Sequence, residues 1–141
     1  MKIDEESFFW KTQRGEVPDP NTVETLGVEF VKIDTDLWTT EMNFVGKPEF
    51  TNPSGNIQGG FLAAMLDDVM AANLAALLKK GEYAPTVSMN IQYLRPGKVG
   101  KFKGFGEVVK KGKKICYLSG RLEQDDHIVA TATASAIITS M

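Results

Sequence analysis

Asn52-Pro53-Ser54-Gly55-Asn56-Ile57-Gln58-Gly59-Gly60 runs straight into Phe61-Leu62-Ala63-Ala64-Met65-Leu66-Asp67-Asp68-Val69-Met70-Ala71-Ala72-Asn73-Leu74-Ala75-Ala76-Leu77-Leu78. The second half is too long and too continuously apolar for a strand, so the stretch predicts a polar, glycine-punctuated loop feeding a buried helix over 59–79. Lys79-Lys80-Gly81 marks the stop, with cations near the helix's negative end and a glycine where a left-handed residue is often needed. Two adjacent carboxylates, Asp67 and Asp68, sit in the middle of this run. Burying an unpaired carboxylate is costly, so at least one of them needs a polar partner.

Working outward, residues 1–25 read as a covering segment: a short helix carrying Phe8, Phe9 and Trp10, then the turn chemistry of Val17-Pro18-Asp19-Pro20-Asn21. Runs at 28–34 and 37–44, rich in β-branched and aromatic residues, predict a hairpin. After the helix the period changes to two. Val87, Met89, Ile91 and Tyr93 alternate with Thr86, Ser88, Asn90 and Gln92, and further strands at 101–111, 114–123 and 127–139 extend this to an antiparallel strand meander over 86–139. In the last strand Ile128, Ala130, Ala132, Ala134, Ala136 and Ile138 fall on one face. Small residues there call for a bulky element packed close, and the only long apolar helix available is the run from Gly60 to Leu78, about 28 Å long at 1.5 Å per residue. The fold class is α+β: a curved antiparallel β-sheet wrapped around one long central α-helix, in a single domain over 1–141.

Composition narrows the function. The 141 residues carry 16 basic and 18 acidic side chains, a formal net charge of -2, which gives no broad footprint for nucleic acid or an anionic membrane. One Cys and one His exclude an internal disulfide framework and the usual Cys/His zinc site, and no metal is expected. The residues after Met1 hold no signal-peptide core, so a cytoplasmic location is the expectation. A membrane span at 60–78 is excluded by Asp67 and Asp68, each costing about 2.5–3.5 kcal/mol at the bilayer centre.

Several bland readings hold their ground. Gly100, Gly104 and Gly106 lie inside strand periodicity, which excludes a dinucleotide fingerprint. His127 reads as an exposed turn residue and Cys116 as core. Lys110, Lys111, Lys113 and Lys114 flank a hairpin tip and read as a solvated turn. Phe50, Phe61, Met65 and Met70 read as core before they read as pocket.

Gly59 and Gly60 stand at the helix start with no Ser, Thr or Asp cap immediately before them. The first amides of a helix lack internal partners at its positive end, so they can receive an anion or a developing oxyanion; close backbone packing is the competing explanation. Asp67 shares a helical face with Gly60, Ala63, Ala64, Met70, Ala71 and Leu74, while Asp68 faces about 100° away. One carboxylate is expected to reach a polar site and the other the helix's exposed edge; a structural carboxylate satisfied by backbone amides remains the alternative. Gly59 and Asp67 are eight residues apart, about 12 Å of helix, too far to act on one carbonyl within one chain. If both serve one site, a symmetric dimer must bring each Gly59 to the partner's Asp67.

Taken together, Asn52, Gln58-Gly59-Gly60, Asp67, Pro18-Asp19-Pro20 with Leu26-Gly27, and Val87-Ser88-Met89-Asn90-Ile91-Gln92-Tyr93-Leu94-Arg95-Pro96 resemble the hotdog-fold acyl-CoA thioesterases. The phenylacetate-pathway type and 4-hydroxybenzoyl-CoA thioesterase-like proteins are the most similar branch. The resemblance implies hydrolysis of an acyl-CoA thioester to a carboxylic acid and free CoA, with no cofactor beyond the CoA of the substrate. It implies that the Gly59 amide polarises the thioester carbonyl, Asn52 helps to position it, Asp67 of the neighbouring subunit acts as general base or nucleophile, and Thr86 holds the attacking water. Gln58, Gly60, Phe61 and Arg95 are the further positions expected to contact substrate. It also implies a homodimer with sites between subunits, paired into a dimer of dimers. The family motif reads His-Gly-Gly, whereas this chain has Gln58-Gly59-Gly60, and Gln hydrogen-bonds without titrating. A non-catalytic acyl-CoA-binding or sensing protein is therefore the alternative, and a dehydratase, which would want a His in the site, ranks below it.

Overall fold

Residues 3–140 are described in this computed structural model. The long apolar run forms helix α3 (Gly59–Ala75). Its last carbonyls are taken up by tightening turns in which the amides of Ala76, Leu77 and Leu78 donate to Ala72, Leu74 and Ala75. The regular helix therefore stops four residues short of the expected 79, before Lys79. Ahead of it come α1 (Phe8–Gln13), α2 (Asn21–Thr25) and the hairpin of β1 (Glu29–Asp34) and β2 (Thr39–Gly46). After it come β3 (Glu82–Tyr83), β4 (Thr86–Tyr93), β5 (Gly100–Lys111), β6 (Ile115–Gln124), β7 (His127–Ile137) and β8 (Thr139–Ser140). The second short helix, α2, follows the Val17–Asn21 turn signal and was not expected.

The main sheet is antiparallel, in the order β1-β2-β5-β6-β7-β4. This corrects the simple meander: β5, β6 and β7 follow one another, but β4 crosses to the far edge and pairs with β7. The sheet wraps the helix face formed by Leu62, Met65, Leu66, Val69, Met70 and Leu74, all buried, against Met42, Phe44, Phe102, Leu118 and Leu122.

What lets the sheet close on the helix is a row of small side chains. Gly106 pairs with Thr40 and with Gly120, and Gly120 with Ala132, so four neighbouring strands are thin at one level. A Cβ on Gly106 would lie 2.6 Å from the Val69 carbonyl oxygen, and one on Gly120 2.9 Å from Met70 Cγ. Backbone cannot yield as a side-chain end can, so Gly106 marks the tightest approach of sheet to helix. Ala130, Ala132, Ala134 and Ala136 are buried as expected, but Ile128 is 41% exposed. The ladder slips between Leu122 and Glu123, and such a bulge turns the residue before Val129 outward.

A second bulge bears directly on the candidate site. The β4–β7 register shifts between Thr86 and Ser88, so Thr86 pairs with the buried Ala136 while Ser88 pairs with Ser135. Plain alternation would set Thr86 opposite Met89 and Ile91. The bulge instead puts it on their inward side and leaves Val87 60% exposed.

Gly106→Ala is expected to lower unfolding free energy by about 1–3 kcal/mol through overpacking, read as a reduced urea midpoint at unchanged m-value. Gly60→Ala, where an added Cβ meets nothing within 4 Å, should leave the midpoint nearly unchanged in the same assay.

Candidate functional site

The site is built at two levels of α3. At its start, the loop from Asn52 is folded around the Asn52 side chain, whose Oδ1 accepts from Ser54 N (3.1 Å), Ser54 Oγ (2.8 Å) and Asn56 N (3.1 Å). Gly55 sits at φ +81°, the left-handed conformation that glycine tolerates. The loop is tied to its surroundings by Ile57 N donating to Gly97 O and Gln58 N to Phe50 O, both at 2.8 Å. Gln58 is the exposed N-cap, makes no side-chain cap hydrogen bond, and accepts from Phe61 N through its carbonyl at 2.9 Å. The Gly59 and Gly60 amides, next in line, belong to the first turn that helix geometry leaves without intrahelical acceptors.

Tyr93, which the sequence placed only in a strand, closes this end. Its hydroxyl donates to Gly59 O at 2.9 Å, and a Cβ on Gly59 would stand 3.2 Å from its Cζ. Gly59 is therefore pressed by the end of β4 while Gly60 is open. The signal was hidden because the contact crosses from the last residue of β4 to a helix start far back in sequence. Phe61 is half-buried and stacks on Phe50 with ring centroids 4.1 Å apart, so it is anchored in the wall of the loop. Arg95 is exposed just beyond β4, its amide donating to Val129 O.

At the middle of α3, Asp67 is half-buried and Thr86 Oγ1 donates to its Oδ1 at 2.7 Å. The bulge in β4 is what makes this contact. Helix geometry keeps Asp67 about 12 Å along the axis from Gly59, so within one chain the glycine end and the carboxylate stand apart.

Asp68 behaves differently. It faces a cavity of about 190 Å³ under the N-terminal segment, beside Phe9, Asp19, Val23, Phe30 and Ala72, so it does not reach an exposed helix edge as expected. Its Oδ2 is shielded from solvent and has no hydrogen-bond partner among the described residues. Burial, and secondarily the neighbouring Asp67 charge, pushes its pKa up to about 6. His127 is exposed at the β6–β7 hairpin end, beside Asp125 and Asp126 in left-handed conformations. Cys116 is fully buried, and burial pushes its thiol up.

The raised Asp68 pKa has a definite sign. Between about pH 4 and 6 the folded chain holds a proton that the unfolded chain has released, so folding stability falls as pH rises through this window and levels off above it. Asp68→Asn should remove that contribution. Urea unfolding at several pH values is expected to give curves for variant and wild type that meet near pH 4 and separate toward pH 7, with the variant more stable by on the order of 1–3 kcal/mol.

Comparison with known proteins follows the same outline. The profile of the Thioesterase superfamily matches residues 54–131. A phenylacetic acid degradation-related protein from Ralstonia eutropha JMP134 is 38% identical, with a TM-score of 0.90 over 92% of this chain and 98% of that one. The E. coli PaaI protein from the phenylacetic acid degradation operon shares the fold, with a TM-score of 0.81 at 18% identity over 94% of each chain. Human acyl-coenzyme A thioesterase 13 is 32% identical over 72 residues, 50% of this chain and 51% of the human protein. The chain thus matches about half the length of that curated relative.

Proposed function

Because the chain belongs to the thioesterase superfamily, with its hotdog fold, we propose that it hydrolyses an acyl-CoA thioester with Asp67 as general base. The observation that carries this reading is the 2.7 Å hydrogen bond from Thr86 Oγ1 to Asp67 Oδ1 in the middle of an otherwise apolar helix. It holds one carboxylate oxygen and leaves the other free to take a proton from water. The water oxygen attacks the thioester carbonyl carbon, Asp67 accepts the water's proton, and negative charge develops on the carbonyl oxygen. The Gly59 amide at the positive end of α3 stabilises that oxyanion. Collapse breaks the carbon–sulfur bond, and the proton on Asp67 passes to the departing CoA sulfur, giving the carboxylic acid and free CoA. Thr86 spends its one proton on Asp67, so it acts first as a positioning residue, with its lone pairs left to accept from the water.

Asn52 builds the loop through its oxygen, leaving its amide group to help orient the carbonyl. Gln58, Gly60, Phe61 and Arg95 would contact the rest of the substrate around the same helix end. If Gly59 and Asp67 act on one carbonyl, their separation along the helix calls for a second copy of the chain, which supports a homodimer with two equivalent sites as the working unit; a dimer of dimers is the larger assembly that the family resemblance implies. Strand β4 supports this: it is an edge strand, and Val87, Tyr93 and Leu94 on or beside it are more than half exposed. Unpaired edges of this kind invite pairing with another chain.

The second reading, an acyl-CoA binder that does not hydrolyse, is favoured by Gln58 where family members carry His. A panel of acyl-CoA thioesters read by free thiol release separates the two: turnover supports hydrolysis, and tight binding without thiol supports the binder. Asp67→Asn is expected to lower kcat by about 10²–10⁴-fold with its melting temperature little changed. Thr86→Val should lower kcat by a smaller factor. Full turnover in the Asp67 variant would remove the assignment.

A further inference from the structure

Two cavities flank α1, and both are bounded by Phe8, Phe9, Ala71 and Ala75. The outer one, about 370 Å³, is closed by Tyr83, Ala84 and Pro85; the inner one, about 190 Å³, is the cavity beside Asp68. They form one trough whose floor is the alanine face of α3 and whose partition is the pair of phenylalanines. Its position is specific. Ala71 lies one helical turn beyond Asp67 on the same face, and Pro85 immediately precedes Thr86. The mouth of the trough therefore adjoins the Asp67–Thr86 hydrogen bond.

The lining is mostly apolar, with Thr12, Gln13, Asp19 and Asp68 at the inner cavity and Ser7 and Glu82 at the outer one. Phe8 is 53% exposed and Tyr83 44% exposed, large apolar surfaces left in water at the mouth. The floor uses Ala71 and Ala75, where the sheet-facing side of the same helix uses Met65, Val69 and Met70. Small side chains at that level leave room that the helix fills elsewhere. The wall is not a loose flap. Trp10 Nε1 donates to Ala76 O at 3.0 Å, and Lys80 N donates to Asp4 Oδ2 at 2.9 Å, pinning the N-terminal segment to the far end of α3. Phe9 packs edge-on against Trp10 and Phe30, which leaves Phe8 as the less constrained of the two.

We propose that the acyl group of the thioester lies in this trough, running from Asp67 over Ala71 toward Ala75, and that Phe8 and Ala75 set the length of acyl group accepted. This rests on the acyl-CoA reading above and names its substrate class: an apolar acyl group of medium length or carrying one ring. From Asp67 to Ala75 is about 12 Å along the helix. The inner cavity exceeds the roughly 150 Å³ that suffices for a benzene-sized guest in an apolar site.

The test compares acetyl-, hexanoyl-, octanoyl- and phenylacetyl-CoA. The readout is the ratio of kcat/KM for each longer substrate to that for acetyl-CoA, which cancels effects on the shared chemistry. Ala75→Phe is expected to lower the octanoyl and phenylacetyl ratios by about tenfold or more. Phe8→Ala, a truncation of a half-exposed side chain, should move the preferred length upward. Ratios unchanged in both variants, with circular dichroism showing them folded, would overturn the proposal; if Ala75→Phe does not fold, the Phe8→Ala shift decides. Calorimetric binding of non-hydrolysable thioether analogues of the same acyl groups separates this proposal from the reaction. Should the wild type release no thiol from any thioester, hydrolysis fails alone, and the trough stands or falls on whether Ala75→Phe and Phe8→Ala change the binding ratios.

Discussion

The approach of the β5 backbone to the Val69 carbonyl sets the distance between sheet and helix, and the other features depend on that distance. Gly106, Gly120 and Ala132 lie side by side on β5, β6 and β7, and with side chains this small the sheet can curve onto α3 without a gap. A helix held so closely by a sheet on one side presents its remaining faces to whatever lies at the sheet's edge and over its back. At the edge that is β4; over the back it is α1 and α2. The two carboxylates on α3 fall one to each.

Adjacent residues thus meet opposite chemical fates because a helix turns about 100° per residue. Asp67 points toward the edge strand and finds a hydroxyl there, since the bulge after Thr86 rotates that residue inward. Asp68 points under the N-terminal segment, finds no hydrogen-bond partner for Oδ2, and is held at a raised pKa by burial. A carboxylate held by a strand hydroxyl and a carboxyl whose pKa is raised by burial come from one dipeptide. A buried acid without a hydrogen-bond partner is costly to stability, and this one borders a cavity that Thr12, Gln13 and Asp19 also line.

Much of this was legible in the residues themselves. The long apolar run required a buried helix, the alanines of β7 required something packed close upon them, and the paired carboxylates singled out the helix as the place to look. Residue spacing and helix rise alone set Gly59 apart from Asp67. What stayed hidden were features decided by partners distant in sequence. The crossing of β4 to the far edge, the exposure of Ile128 and the inward turn of Thr86 all depend on ladder register, which local alternation does not encode. Tyr93 read as one more strand residue because its partner, the carbonyl of Gly59, belongs to the backbone. The small helix α2 is too short to show a helical period. Pro18, Asp19 and Pro20 drew attention to the turn before it instead.

The crossing of β4 also has a temporal side. Thr86 is aligned by Ala136 and Met89 by Ala134, so the hydroxyl that faces Asp67 takes its place through a strand synthesised long after both of them. Long-range pairing of this kind pays its loop-closure entropy before it gains contacts, and such pairings form slowly. A nascent chain that has already made α3 and β4 would carry an uncovered apolar helix face and a hydroxyl with no fixed direction until β5, β6 and β7 have emerged and docked. The order of synthesis makes the Asp67–Thr86 contact one of the late events in the life of the chain.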